Sequence, residues 1–146
     1  MNIAIVGATG NVGRKIIEVL ERKNFSVTNL YLLASAKSSG VKIKFKDSEI
    51  EVSDLENFDF SKADITFFSA GGKISEKYVS AAAKHTVVID NSSYFRMDPD
   101  VPLIVPQVNS KEIKNMKKNI LANPNCSTAQ LVIAVSYTHL RAHETN

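Results

Sequence analysis

Apolar residues in this chain fall into two patterns, short unbroken runs and longer stretches at helical spacing. Ile3 to Val6 is a continuous apolar run, as in a strand buried on both faces of a parallel sheet. Glycines follow, and then Val12, Ile16, Ile17, Val19 and Leu20 recur at helical spacing, which predicts strand, tight turn and helix in succession. SVTNLYLLAS predicts a second strand ending near Ser35, and VKIKF and EIEVSD alternate in polarity as half-exposed strands do. ADITFFSA predicts another buried strand, stopped by Gly71 and Gly72; KISEKYVSAAAKH then predicts a helix, and TVVID a further strand. Strands alternating with helices imply a doubly wound α/β sheet, mostly parallel, with right-handed crossovers. From Asn91 to Asn109 the pattern dissolves around Pro99, Pro102 and Pro106. A loop that long predicts either a functional segment or disorder.

Composition narrows the class. A chain of 146 residues, 44% of them apolar, makes one domain with an ordinary core the default. The formal charge of +3 is mild. Lys117 and Lys118 aside, the basic residues are scattered among acids, so the expectation is no nucleic-acid partner. No run approaches the roughly 18 apolar residues that span a bilayer, and MNIAIVGATG lacks the features of a cleaved leader. A single cysteine excludes an internal disulfide framework and fits a reducing compartment. A cytoplasmic protein without a membrane partner is expected, and no metal site is assigned.

The glycines after the first strand carry chemistry. GATGNVG sets Gly7, Gly10 and Gly13 at the opening of the first helix. A dinucleotide pyrophosphate needs backbone without Cβ atoms close by, and it gains from free N–H groups and the positive end of a helix. The spacing is a variant of the usual fingerprint, and the same glycines could serve only sheet packing; the strand–turn–helix context favours the cofactor. An NAD site normally carries an acid about 20 residues on, at the end of the second strand. Here LLASAKSSG offers Ser35, Lys37 and Ser38 and no acid. A lysine flanked by hydroxyls suits a 2′-phosphate, so NADP is the expected cofactor.

Cys126 follows NPN and precedes STAQLVIA. Pro124 and Asn125 stop what comes before, and Ser127 and Thr128 suit the start of a helix. A cysteine at a helix N-terminus meets the helix dipole and free N–H groups, which favour the thiolate and can hold an oxyanion. An inert buried thiol is the other reading. A loop-borne thiol after a dinucleotide domain points to an aldehyde dehydrogenase working through a covalent thioester.

Four blocks, GATGNVG, FFSAGG, DNSSYFRMDPDVPLIVPQVN and NPNCSTAQL, occur in the order and spacing of one family. Over residues 1 to about 134 the chain resembles the N-terminal half of aspartate-β-semialdehyde dehydrogenase, whose nucleotide-binding domain is Rossmann-like. The resemblance implies interconversion of aspartyl phosphate and aspartate semialdehyde with NADPH, on the route to lysine through diaminopimelate and to threonine, methionine and isoleucine. It implies that Cys126 is the nucleophile and that Asn125 orients substrate and supports the developing oxyanion. Arg96 would bind the substrate carboxylate or phosphate, for which a planar guanidinium fork is suited. Asn91 and Ser92, with Ser69, Ala70 and Gly71, would lie against the nicotinamide half of the cofactor. Thr9, Asn11 and Val12 would line the pyrophosphate turn. N-acetyl-γ-glutamyl-phosphate reductase shares this architecture and chemistry, but its cysteine lies in a Gly-Cys-Tyr-Pro-like context that NPNCSTAQ does not match. A non-catalytic dinucleotide-binding module is a third reading.

After QLVIA the resemblance stops. The family continues into a second domain that supplies a substrate-orienting glutamine, a further arginine, a general acid/base histidine and most of a homo-oligomeric interface. This chain reads VSYTHLRAHETN, so residues 1–135 are expected to form the dehydrogenase domain and 136–146 a non-native tail. His139 and His143 are expected to have no function, and His85 to close a helix with a favourable charge. The 146-residue chain alone is expected to be inactive.

Overall fold

The protein is described by a computed structural model that covers the backbone of residues 1–143 and the side chains of residues 1–137. The opening segment forms β1 (Asn2–Val6) and α1 (Asn11–Arg22), followed by β2 (Asn29–Ala34). β3 (Lys42–Phe45), β4 (Ser48–Glu51) and β5 (Ser53–Asp54) come next, then β6 (Ile65–Phe68), α2 (Gly72–Ala82) and β7 (Val87–Asp90). α3 (Pro106–Asn109), β8 (Ile120–Ala122) and α4 (Cys126–His143) complete the described chain.

Six of the strands make one sheet in the order β5-β2-β1-β6-β7-β8, and every pairing in it is parallel. The doubly wound, Rossmann-like architecture is therefore the one expected. β1 sits where the order reverses, with β2 on one side and β6 on the other. Crevices at such a switch point open beyond the carboxyl ends of the strands, and the candidate site residues gather there.

Each face of the sheet has its own core. Ala4, Val6, Phe68, Val88 and Ile120 pack with Val79 and Ala82 of α2. Ile3, Ile5, Leu30 and Leu32 pack with Ile17 and Leu20 of α1. Fully burying a side chain of this size stabilises by about 1.5–3 kcal/mol, so these clusters fix both helices against the sheet. The second face is only half covered: Ile65, Phe67, Val87, Ile89 and Leu121 of β6, β7 and β8 are all half-buried.

Three segments refine the expected pattern. VKIKF and the start of EIEVSD are half-exposed strands as expected, but they pair outside the main sheet as an antiparallel hairpin, β3 with β4, while Ser53 and Asp54 at the end of EIEVSD enter the main sheet as β5 beside β2. The hairpin's apolar face, Ile43 and Phe45, joins the α1 cluster, and the Lys46 amide at its turn donates to Glu21 Oε1 at 2.8 Å. The Asn91–Asn109 segment is ordered, because Phe95, Val101, Ile104 and Val105 are buried. Within it Leu103 makes a parallel bridge to Ala122, extending the sheet edge beyond β8. α2 ends at Ala82, three residues short of the predicted end, so the exposed His85 lies in the turn that follows. Further on, α4 runs through the expected domain boundary at 135/136 as one helix. The side chains of His139 and His143 lie outside the described residues.

Candidate functional site

The first part of the site is the β1–α1 turn. Gly7 adopts φ +84°, and a Cβ built on it would stand 3.0 Å from the Ser69 backbone and hydroxyl. The tightest constraint is at Gly13, where a Cβ would come within 2.2 Å of the Gly7 carbonyl oxygen and 2.8 Å of Ala8 Cα. Only glycine lets α1 pack its first turn onto the end of β1. That turn begins at Gly10 with no side-chain cap, and the amides of Asn11, Val12 and Gly13 find no acceptor among the described residues. Free amides on a positive helix end make an anion cradle. The turn is tied down from three directions. The Gly7 and Ala8 amides donate to Leu33 O, at 2.8 and 3.1 Å. Ser69 donates twice to Val6 O, from its amide and its hydroxyl. Arg14 Nε donates to Thr9 O at 3.1 Å.

A cleft of about 730 Å³ opens beside this turn. Gly7, Thr9 and Gly10 form its floor, Ser35, Lys37 and Ser38 one wall, and Ser69 and Ala70 another. The structure thus brings together eight of the residues expected at the cofactor. Gly13 packs beneath the turn, Asn11 lies on the first turn of α1, and Gly71 precedes α2 with φ +90°. Val12 and Asn91 instead line a second hollow of about 380 Å³, with Ile16, Phe67, Ile89 and Asn123.

Two acids that local sequence reading did not bring to the cleft also line it, Asp54 and Glu56. They arrive through β5, a two-residue strand pairing with Leu33 and Ala34 of β2. Each is partly engaged within the chain. Asp54 Oδ1 accepts the Glu56 amide at 3.1 Å, and Glu56 pairs with Lys77 at 3.2 Å. Hydrogen bonding from Lys77, its charge, and a bond from the Tyr78 hydroxyl hold the Glu56 carboxyl below its ordinary pKa.

The third part joins the ends of β7 and β8. Asp90 closes β7, is fully buried, and accepts three hydrogen bonds. Its Oδ1 receives the Ser75 hydroxyl at 2.8 Å and the Ser92 amide at 3.0 Å, and its Oδ2 the Ser92 hydroxyl at 2.8 Å. Ser92 is itself buried, so its side chain shapes the turn after β7 from within. Arg96 spans the two loops: Nε donates to Asn123 O at 3.0 Å and Nη2 to Asn91 O at 3.2 Å. Asn123 Nδ2 donates to Asn91 Oδ1 at 2.5 Å.

Cys126 is exposed and opens α4. The helix is capped by Asn125, two residues before Ser127, so Ser127 and Thr128 stand in its first turn, as their residue types suit. Asn125 Oδ1 accepts the Ser127 amide at 2.9 Å, and its carbonyl accepts the Ala129 amide at 2.9 Å. The thiol lies 4.0 Å from that same Oδ1. Asn immediately before an apolar helical run is a strong N-cap signal, and it was readable in NPNC.

No helix among the described residues is long and apolar enough to cross a membrane. A family profile described as "Semialdehyde dehydrogenase, NAD binding domain" matches residues 2–116. The chain is 48% identical over 136 residues to aspartate-semialdehyde dehydrogenase of Shewanella violacea, covering 92% of this chain and 40% of that protein. With the Aquifex aeolicus aspartate-semialdehyde dehydrogenase it shares 52% identity over 136 residues, 91% of this chain and 40% of the relative. Among solved structures, aspartate semialdehyde dehydrogenase II of Vibrio cholerae complexed with ASA superposes with a TM-score of 0.90. That match has 48% identity and covers 92% of this chain and 44% of the other. The Candida albicans aspartate semialdehyde dehydrogenase with NADP gives 0.70 at 28% identity, over 92% and 45%. The chain therefore spans about 40% of the length of the curated relatives it matches. By the domain that fills most of its length, this chain belongs to the semialdehyde dehydrogenase family.

Proposed function

We propose that this chain is the nucleotide-binding part of an NADP-dependent aspartate-semialdehyde dehydrogenase, with Cys126 as nucleophile. The observation that carries the reading is the placement of an exposed thiol at a capped helix N-terminus, next to β8 in the sheet whose β1 ends in the glycine cradle. In the biosynthetic direction the Cys126 thiolate attacks the acyl carbon of aspartyl phosphate, the carbon–oxygen bond to phosphate breaks, and a thioester remains. Bound NADPH supplies the hydride that reduces it. Asn125 orients the acyl group and, with the first amides of α4, supports the oxyanion. Arg96 keeps N–H groups beyond the two it spends on carbonyls, and these are assigned to the substrate carboxylate or phosphate.

The cofactor's pyrophosphate is assigned to the turn of Gly7, Thr9, Gly10, Asn11, Val12 and Gly13. Its 2′-phosphate is assigned to Ser35, Lys37 and Ser38. The nicotinamide half is assigned to Ser69, Ala70 and Gly71 and to the Asn91–Ser92 turn. Preference for NADP over NAD is supported by Lys37, Ser35 and Ser38 on one wall of the cleft. Titrating the chain with each nucleotide tests this: NADP is expected to bind more tightly, and tighter binding of NAD would overturn the assignment. Alone, the 146 residues are expected to bind NADP weakly and to turn over no substrate. Cys126 bonds to no histidine or carboxylate among the described residues, and a missing general base typically costs two to four orders of magnitude in rate. Cytoplasmic residence and assembly as a homo-oligomer are part of the same proposal.

A further inference from the structure

Arg96 does more in this fold than face an anion. Its side chain lies between two loops distant in sequence, one leaving β7 and one leaving β8. Nε and Nη2 divide between them, 3.0 Å to Asn123 O and 3.2 Å to Asn91 O. The tie is reinforced by the Asn123 side chain on Asn91 Oδ1 and by the Asn123 amide on Asp90 O at 2.8 Å. Asp90 in turn is locked by Ser75 and Ser92 in the buried interior. Asn123 is separated from the Asn125–Cys126 cap by Pro124 alone, and Pro124 is itself buried. A planar fork can reach two carbonyls at once in fixed geometry, whereas an ammonium is a single point charge.

We infer that Arg96 is a positioning residue, a cross-tie between the ends of β7 and β8 that fixes where α4 begins and hence where Cys126 stands. This rests on the proposed role of Cys126 for its functional meaning, though the tie itself does not. It also sets the guanidinium in place before any anion arrives, since two of its donors are anchored on the backbone.

Amide hydrogen exchange on the 146-residue chain tests the tie. Arg96→Lys retains charge but cannot fork, and Asn123→Ala removes the side-chain half of the tie. In each, exchange at the two bonded amides, Asn123 on Asp90 O and Ser127 on Asn125 Oδ1, is expected to quicken by about tenfold, as when one or two net hydrogen bonds leave a local opening equilibrium. Amides of Ile3 to Val6 are expected to keep their protection. The double variant should be no worse than the more affected single one. Ethylguanidinium at sub-denaturing concentration is expected to restore protection in Arg96→Ala, and an alkylammonium is not. Unchanged exchange at both Asn123 and Ser127 in Arg96→Lys, or an equal loss at Ile3 to Val6, overturns the inference. If Arg96→Lys does not fold, Asn123→Ala decides on the same criteria. Alkylation of Cys126 by iodoacetamide, compared with free cysteine at the same pH, separates the two readings. A thiol no more reactive than free cysteine removes the nucleophile assignment and leaves the exchange result to judge the tie.

Discussion

Gly13→Ala should cost more than any other single-methyl addition in the glycine turn. The new Cβ would lie 2.2 Å from Gly7 O, 2.8 Å from Ala8 Cα and 2.9 Å from Gly7 C. All three are backbone atoms, so no rotamer change relieves the clash. Reaching an ordinary nonbonded separation of about 3.5 Å needs a movement of more than about 1 Å. The atoms that must move belong to β1's end or to α1, and both are held by buried cores. Overpacking of this kind costs about 1–3 kcal/mol. A 2.2 Å backbone contact belongs in the upper half of that range, about 2–3 kcal/mol, and since replacing a helical glycine by alanine returns about 1 kcal/mol of propensity, the net loss is about 1–2 kcal/mol. With a urea slope of about 2 kcal/mol/M, the unfolding midpoint falls by roughly 0.5–1 M. Gly10→Ala is the control: its Cβ meets only Gly7 O, at 3.3 Å, and a small relaxation accommodates it. Because α1 moves in the Gly13 variant, NADP affinity should fall in it as well. Equal unfolding midpoints for Gly13→Ala and the parent chain would refute the packing argument.

Three further outcomes are expected. Lys37→Ala should lower NADP affinity about tenfold and leave NAD affinity almost unchanged, since one charge-assisted contact is worth about 1.5–3 kcal/mol before solvent screening; isothermal titration with both nucleotides checks it. Asp90→Leu should destabilise by about 2–4 kcal/mol in urea unfolding, because it strands two buried serine hydroxyls and an amide. Hydrogen bonds from the Asp100 amide and Lys118 hold the Asp98 carboxyl below its ordinary value of 3.8. A depressed carboxylate stabilises above its unfolded pKa, and the effect is lost as pH falls through the folded value. Lys118→Met should therefore lower stability slightly at neutral pH and converge with the parent chain in acid or high salt, which melting curves across pH will show.

Much of the sheet was legible because its central strands are buried on both faces, so they read as unbroken apolar runs. The Gly7–Gly13 turn was legible for a related reason, as close backbone approach admits only glycine. What escaped had no period to detect. β8 has three residues and is defined by its pairing with β7, and the Ser53–Asp54 end of the predicted EIEVSD strand takes its place beside β2 only through a pairing distant in sequence. Asp54 and Glu56 therefore reach the cleft through a contact that local sequence does not encode. Phe95, Val101, Ile104 and Val105 bury a segment that reads as loop, at spacings matching neither strand nor helix. Arg96 was identified as an anion ligand from its motif, but its bonds to Asn91 and Asn123 emerge only when the loops after β7 and β8 meet. The half-covered part of the sheet around Phe67 and Ile89 likewise follows from topology, since α1 and the β3–β4 hairpin pack chiefly with β1 and β2 on that face.

The central claim is that this domain presents Cys126 for thioester chemistry beside an NADP site, and a chimera tests it most directly. Residues 1–134 would replace the matching segment of the Vibrio cholerae relative, which supplies the remainder of a longer chain. The measurement is phosphate-dependent NADP reduction with aspartate semialdehyde. Activity is expected in the chimera, and its loss in the Cys126→Ala version. A folded, NADP-binding chimera that is inactive, or one whose activity survives Cys126→Ala, would contradict it.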